Sequence, residues 1–189
     1  MFPSSTAWIG FVAILLVVGV IILSGYYPLA LVGPTPLFAR DVLRREKATL
    51  KMYDLFSQAR GATSTNPLYQ EKEQIVRIVV VEQLINESLV RRELKRRLSD
   101  GVVEEMVRGM FGQINIQRIV ESAGEIYGDD PEIIIKDVLV PQAQQDLLRS
   151  DLLLENKKFD EWLVLAREDA KVFIFMRGIV WDGAHAIKE

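Results

Sequence analysis

Residues 71–98, EKEQIVRIVVVEQLINESLVRRELKRRL, form the longest uninterrupted helical pattern in the chain, and their reading decides the fold. The stretch holds neither proline nor glycine, and a helix of this length spans roughly 40 Å. From Ile75 to Val81 it is apolar almost all round, apart from Arg77, which predicts a segment enclosed by other helices. From Arg91 to Arg97 it is mostly charged, which predicts an end reaching into solvent. A rod of this kind is the scaffold of an elongated helical domain. Glu82, between Val81 and Leu84, is the residue to inspect, because it must be solvated at a helix edge or paired with a basic partner.

Composition narrows the function classes. Arg40 is the first charged side chain, so all 23 basic and 26 acidic residues of the 189 fall between Arg40 and Glu189, for a net charge of −3. No basic excess suits nucleic acid. The chain has no cysteine and one histidine, His185, which excludes disulfides and thiol catalysis and argues against most transition-metal sites.

Upstream, Trp8 to Leu23 is apolar throughout, and with Ala7 and the residues up to Tyr27 it approaches the ~20 residues that cross a bilayer. Trp8 and the Tyr26/Tyr27 pair mark its ends as aromatic belts do. A retained anchor over residues 1–27 is favoured over a cleaved secretory signal, since no positive leader precedes the run and no small-x-small cleavage site precedes Tyr26. Arg40, Arg44, Arg45, Lys47 and Lys51 would by themselves place the following domain on the cytoplasmic side.

Beyond the anchor, Pro28 to Val32 reads as an extended apolar piece, and Gly33 to Pro36 as a turn with Thr35 as N-cap and Pro36 at the first helical position. The next helix, Leu37 to about Arg60, places Phe38, Val42, Thr49, Met52 and Phe56 on one stripe, with Arg44 to Lys47 as a solvated face. Residues 61–67 are a polar loop. After the long helix, Ser99 and Asp100 offer caps for a helix striped by Val102, Val103, Met106, Val107, Met110 and Phe111. That stripe is read as ordinary core, or as an adaptable methionine-lined groove. Ile114 to Ser122 is one further short helix. Asp130-Pro131 starts a helix over Glu132 to Leu148 that Pro141 must bend or split. Asn156 can cap a helix carrying Phe159, Trp162, Leu163 and Ala166. Lys171 to Met176 is a strand, and its natural partner is Pro28 to Val32.

This order of strand, glycine turn, helix, QLINESLVRREL helix, SDGVVEEMV and EIYGDDPEIIIKDVLVPQAQQDLL resembles the N-terminal chaperone module of the SurA-type family, with its PrsA-like and PpiD-like foldases. The correspondence covers roughly Ala30 to Phe175. Val32 and Gly33 stand at the family's turn, Leu84, Ile85 and Leu89 in its anchoring helix, and Leu98, Ser99, Asp100 and Val103 at its next helix start. The turn departs from the pattern: it lacks the family's asparagine and carries one extra residue. The resemblance implies binding of unfolded or exported polypeptides on the extracytoplasmic side, against the orientation the basic cluster suggests. Prolyl isomerisation in that family comes from a parvulin domain after the helix corresponding to Glu132–Leu148, where only Arg149 to Lys158 stands here.

No Ser/His/Asp set, nucleotide loop or metal spacing accompanies these elements. Glu104/Glu105, Asp129/Asp130 and Glu168/Asp169 are adjacent neighbours that point apart on a helix. His185 reads as a surface residue and Trp181 as a packing one. The expectation is therefore a mainly α chain: a transmembrane helix (1–27), an elongated helical domain with a small two-stranded pairing (28–176) and a tail (177–189). It is expected to be a single-pass membrane-anchored holdase, without enzyme activity, cofactor, metal, small-molecule substrate or nucleic-acid partner. The candidate client groove is Met52, Phe56, Met106, Met110 and Phe111. A membrane-anchored adaptor for one specific protein is the alternative.

Overall fold

The computed structural model describes residues 19–20, 22–59, 69–112, 116–128 and 130–189; the predicted anchor, apart from its last few residues, and the polar loop 61–67 lie outside them. Among the described residues no helix is long and apolar enough to cross a membrane. The described fold is mainly helical, with two small antiparallel sheets.

The chain enters through β1 (Pro28–Val32) and β2 (Thr35–Phe38), then α1 (Ala39–Ala59) and the long α2 (Tyr69–Arg97). Next come α3 (Asp100–Phe111), α4 (Ile116–Tyr127) and α5 (Pro131–Ile134), which passes through a π-helical turn (Ile135–Leu139) into α6 (Val140–Leu154). α7 (Phe159–Glu168), β3 (Val172–Ile174) and the strands β4 (Ile179–Trp181) and β5 (Ala186–Lys188) complete it.

β1 pairs with β3 as the extended apolar pieces predict, with Ala30 opposite Ile174, Leu31 opposite Phe173 and Val32 opposite Val172. The sheet has three strands, however, in the order β2-β1-β3. Thr35 and Pro36 belong to β2 and do not start a helix, because Gly33 takes a φ of 58° and folds the chain back on itself within two residues. The ladder bonds of the hairpin outweigh the local capping signal. The stretch 177–189, read as a tail, forms the β4-β5 hairpin, and its Ile179 and Ala186 are buried in the core.

Two apolar clusters share α2 as their common wall. In the first, Val80, Val81, Leu84, Ile85 and Leu89 meet β1, Val42 of α1 and the C-terminal hairpin. In the second, Val90 and Leu94 meet Val103 and Val107 of α3, Leu148 and Leu152 of α6, and Phe159 of α7. The buried face of α2 thus begins in the valine-rich start as predicted, at Val76, Val80 and Val81, and continues beyond it as far as Leu94. Ile75 and Val79 face solvent, while Leu94, within the charged end, is fully buried. A continuous apolar run marks a sticky segment without naming its inward face; contacts from elements far away in the chain select that face.

Local signals explain the remaining boundaries. Asp130 caps α5, accepting the Glu132 backbone N–H at 2.9 Å, with Pro131 in the first turn as predicted. Pro141 neither splits nor ends the helix. The preceding turn widens to the π form, with the Val140 N–H donating to the Ile135 carbonyl, which accommodates a ring that would collide with an α-helical carbonyl. Asn156 closes α6 instead of opening α7. It adopts φ 56° and donates to the Leu153 carbonyl while the Lys157 N–H donates to Leu152, a Schellman turn.

Candidate functional site

The five candidate groove residues fall into two groups. Met52 and Phe56 are exposed near the end of α1, where Asp54 pairs with Lys72 at the start of α2 at 2.5 Å. Met106, Met110 and Phe111 lie on α3, which begins at the opposite end of α2, where Lys95 approaches Asp100 at 3.2 Å. Those two points on α2 are about 35 Å apart at the helical rise, and α3 spans only about 18 Å, so the five do not line one groove. The α3 stripe divides. Val103 and Val107 are buried against α6, whereas Val102, Met106 and Met110, spaced four apart on the adjoining face, are 41%, 46% and 37% exposed. They are neither core nor a closed groove but an open apolar strip, with Phe111 half-buried beside its end.

A second site was not legible in the sequence. A cleft of about 400 Å³ opens between β2, the start of α1, the middle of α2 and the π-helical turn. Pro36, Leu37 and Leu84 make its apolar wall; Arg40, Arg91 and Lys136 line it with positive charge. Its floor is ionic. Arg45 and Glu46, assigned to a solvated face of α1, are buried, at 8% and 5% exposure. Arg45 pairs with Glu87 of α2 and lies 3.9 Å from Asp137 of the π-helical turn. Arg44 grips Asp137 through two bonds of 2.5 and 2.7 Å and holds Asp41 at 2.8 Å. Glu46, outside the cleft, accepts a matching pair from Arg77 at 3.0 and 2.7 Å.

Burial pushes the Glu87 carboxyl above its ordinary range, and the hydrogen bond and charge of Arg45 pull it part of the way back. Arg44 is held more firmly protonated by its bond to Asp137. Burial also raises the Tyr127 phenol. Asp137 is placed by the widened turn itself, and π-helical turns recur where a helix must aim a side chain that regular geometry would point elsewhere. The signal available beforehand was a lone aspartate inside IIIKDVLV, one turn ahead of an interior proline.

Chemically the floor is a set of ion pairs in which the Arg45 Nε is left without a hydrogen bond. None of its members is a nucleophile with an adjacent base, and among the described residues no group of three or more histidine or acidic side chains is placed to hold a metal. No family model, curated protein or solved structure matches the chain. Its two sites therefore have to be read from their own chemistry.

The remaining residues singled out lie where the C-terminal hairpin meets α2. His185 is exposed, with Nδ1 3.1 Å from the Glu82 carboxylate and 3.4 Å from the Arg167 guanidinium. Glu82 is neither free nor buried alone: it also accepts the Ala186 backbone N–H at 3.1 Å, tying the C-terminal hairpin to α2. Trp181 packs against the first core cluster.

Proposed function

We propose that this chain is a chaperone-like module, anchored to a membrane by residues 8–23, that holds unfolded or exported polypeptides without isomerising their prolyl bonds. The observation that carries the reading is the open Val102–Met106–Met110 strip. Methionine side chains are unbranched and polarisable, so such a strip adapts to many apolar sequences without selecting one. Further exposed apolar side chains, among them Tyr53 and Phe56 on α1 and Val164 and Leu165 on α7, would give an extended client several weak footholds. Affinity is then limited by the ordering cost of the client. Placement outside the cytoplasm comes from the family resemblance.

The test is suppression of aggregation, with full-length protein in lipid nanodiscs and three unrelated unfolded clients. Suppression of all three, weakened about tenfold by Met106→Glu with Met110→Glu as several apolar contacts are lost, supports holding. No suppression, with one protein co-purifying at fixed stoichiometry, would establish an adaptor instead. Turnover of a prolyl peptide would refute the non-isomerase part.

A further inference from the structure

The segment 171–177, KVFIFMR, which holds β3 and the turn after it, alternates between exposed and half-buried positions. Val172, Ile174 and Met176 pack on the core. Phe173 and Phe175 are 59% and 57% exposed on the other side, with exposed Lys171 before the strand and exposed Arg177 in the turn that follows it. Leu31, opposite Phe173 in the register, extends the apolar area across the sheet. A strand with one face in the core and the other in water alternates apolar with polar residues. Here both faces are apolar, and the outer one is bounded by a cation at each end. We propose that this outer face is a membrane-interface contact, which seats the helical domain against anionic lipid headgroups.

Two observations select a lipid surface over a protein. The first is connectivity. Residues 8–23, read above as an anchor, end only four residues before β1, and the Phe175 N–H donates to the Leu29 carbonyl at 2.8 Å, at the end of the sheet where the chain enters. From Leu23 to Leu29 the backbone reaches at most about 20 Å, so an anchored chain holds Phe175 close to the bilayer surface whatever the domain does. The second is composition. Aromatic rings flanked by cations suit the headgroup boundary, where rings bury among acyl ends and Lys or Arg meet lipid phosphates. Neither Lys171 nor Arg177 is engaged in an ion pair among the described residues. Tyr26 and Tyr27 are exposed in the segment that leads into β1.

The proposal rests on the anchor reading, so the test separates the two. The chain has no cysteine, and single labels can therefore be placed in the full-length protein at Ala13→Cys, Phe173→Cys and Glu105→Cys. Each carries an environment-sensitive fluorophore in vesicles of phosphatidylcholine and phosphatidylglycerol containing spin-labelled lipid. The expected result is strong quenching at 13 and quenching at 173 about two- to threefold above that at 105, falling toward the 105 value with Lys171→Glu and Arg177→Glu or in pure phosphatidylcholine. Quenching at 13 with 173 equal to 105 overturns the docking and leaves the anchor. No quenching at 13 overturns both. A label at 173 shielded from iodide but not quenched by lipid, or responding only to added oligonucleotide, assigns the face to another partner and overturns the proposal.

Discussion

α2 is held on its two sides by different mixtures of contact. Toward α1 and the π-helical turn, apolar packing at Val42 is joined by a charged seam in which Arg44 and Arg45 approach Asp137, Arg45 pairs with Glu87, and Glu46 pairs with Arg77. Toward α3 and α6 the seam is apolar, with Val90, Leu94, Leu148 and Leu152 packed together and the ions kept to the rim, where Arg97 reaches Glu93, Asp151 and Glu155 at 2.6–2.7 Å. The apolar seam supplies stabilisation without direction, because burial rewards any close-packed arrangement. The charged seam supplies direction with little net stabilisation, since desolvation offsets most of the attraction, while a shifted register leaves charges stranded. α2 thus takes stability from apolar burial on both sides, and its alignment chiefly from the charged seam.

The largest effect expected is on the apolar side. Leu94→Ala removes a fully buried side chain where three helices converge and should cost about 3–5 kcal/mol in denaturant unfolding. On the charged side, Asp137→Ala leaves Arg44 with Asp41 alone and Arg45 with Glu87 alone. Arg44 is partly solvated and can turn to water, so the loss should be smaller, about 2–3 kcal/mol by the same measurement.

How far these seams were visible beforehand follows from where their partners lie. The pairing of Lys171–Met176 with Pro28–Val32 was legible because both are short extended apolar runs, whereas the second pairing of Pro28–Val32, with Thr35–Phe38, was hidden behind a helix-capping signal. The Asp130-Pro131 start was legible because capping is local chemistry. The charged seam was not. Arg45 and Glu46 have partners 42 and 31 residues away, and Arg44 has one 93 residues away, so on α1 alone they are indistinguishable from a solvated face. The α3 stripe was legible as apolar, but its division into buried valines and open methionines depends on where α6 lies. The C-terminal hairpin, with strands of three residues, carries too short an alternation to stand out.

A sharper separation of the two roles comes from replacing a pair outright. The Arg45 Nε is buried without a hydrogen-bond partner, so the Arg45–Glu87 pair is incompletely compensated. Arg45→Met combined with Glu87→Leu should leave stability within about 1 kcal/mol of the parent, whereas Glu87→Leu alone should cost about 2–4 kcal/mol by leaving Arg45 buried with only the long approach to Asp137. A double-mutant cycle measures the difference. If the double variant loses as much as the single, the charged seam is a source of stability and the division of labour fails.

The smallest effect has opposite signs on the two sides. Glu93, at the rim of the apolar seam, is held down to about 2, first by its bond to Arg96 and then by Arg97. Its folded value lies below its unfolded one, so its contribution is present above about pH 4.5 and is lost as pH falls toward 2. Glu87 is raised by burial, so the folded state binds its proton more tightly than the unfolded chain does. Its contribution is present below the unfolded value and is lost as pH rises through the raised folded one. Glu93→Gln should therefore lower stability at pH 7 by about 1 kcal/mol, after allowance for solvent around the Arg96 arm, and flatten the acid limb of the profile below pH 4.5. Glu87→Gln should leave that acid limb intact and remove the decline on the other side of the unfolded value. Thermal unfolding across pH 2.5–7.5 distinguishes them. If both variants flatten the same limb, the two carboxylates share one electrostatic environment, and α2 does not separate its seams in the way its packing indicates.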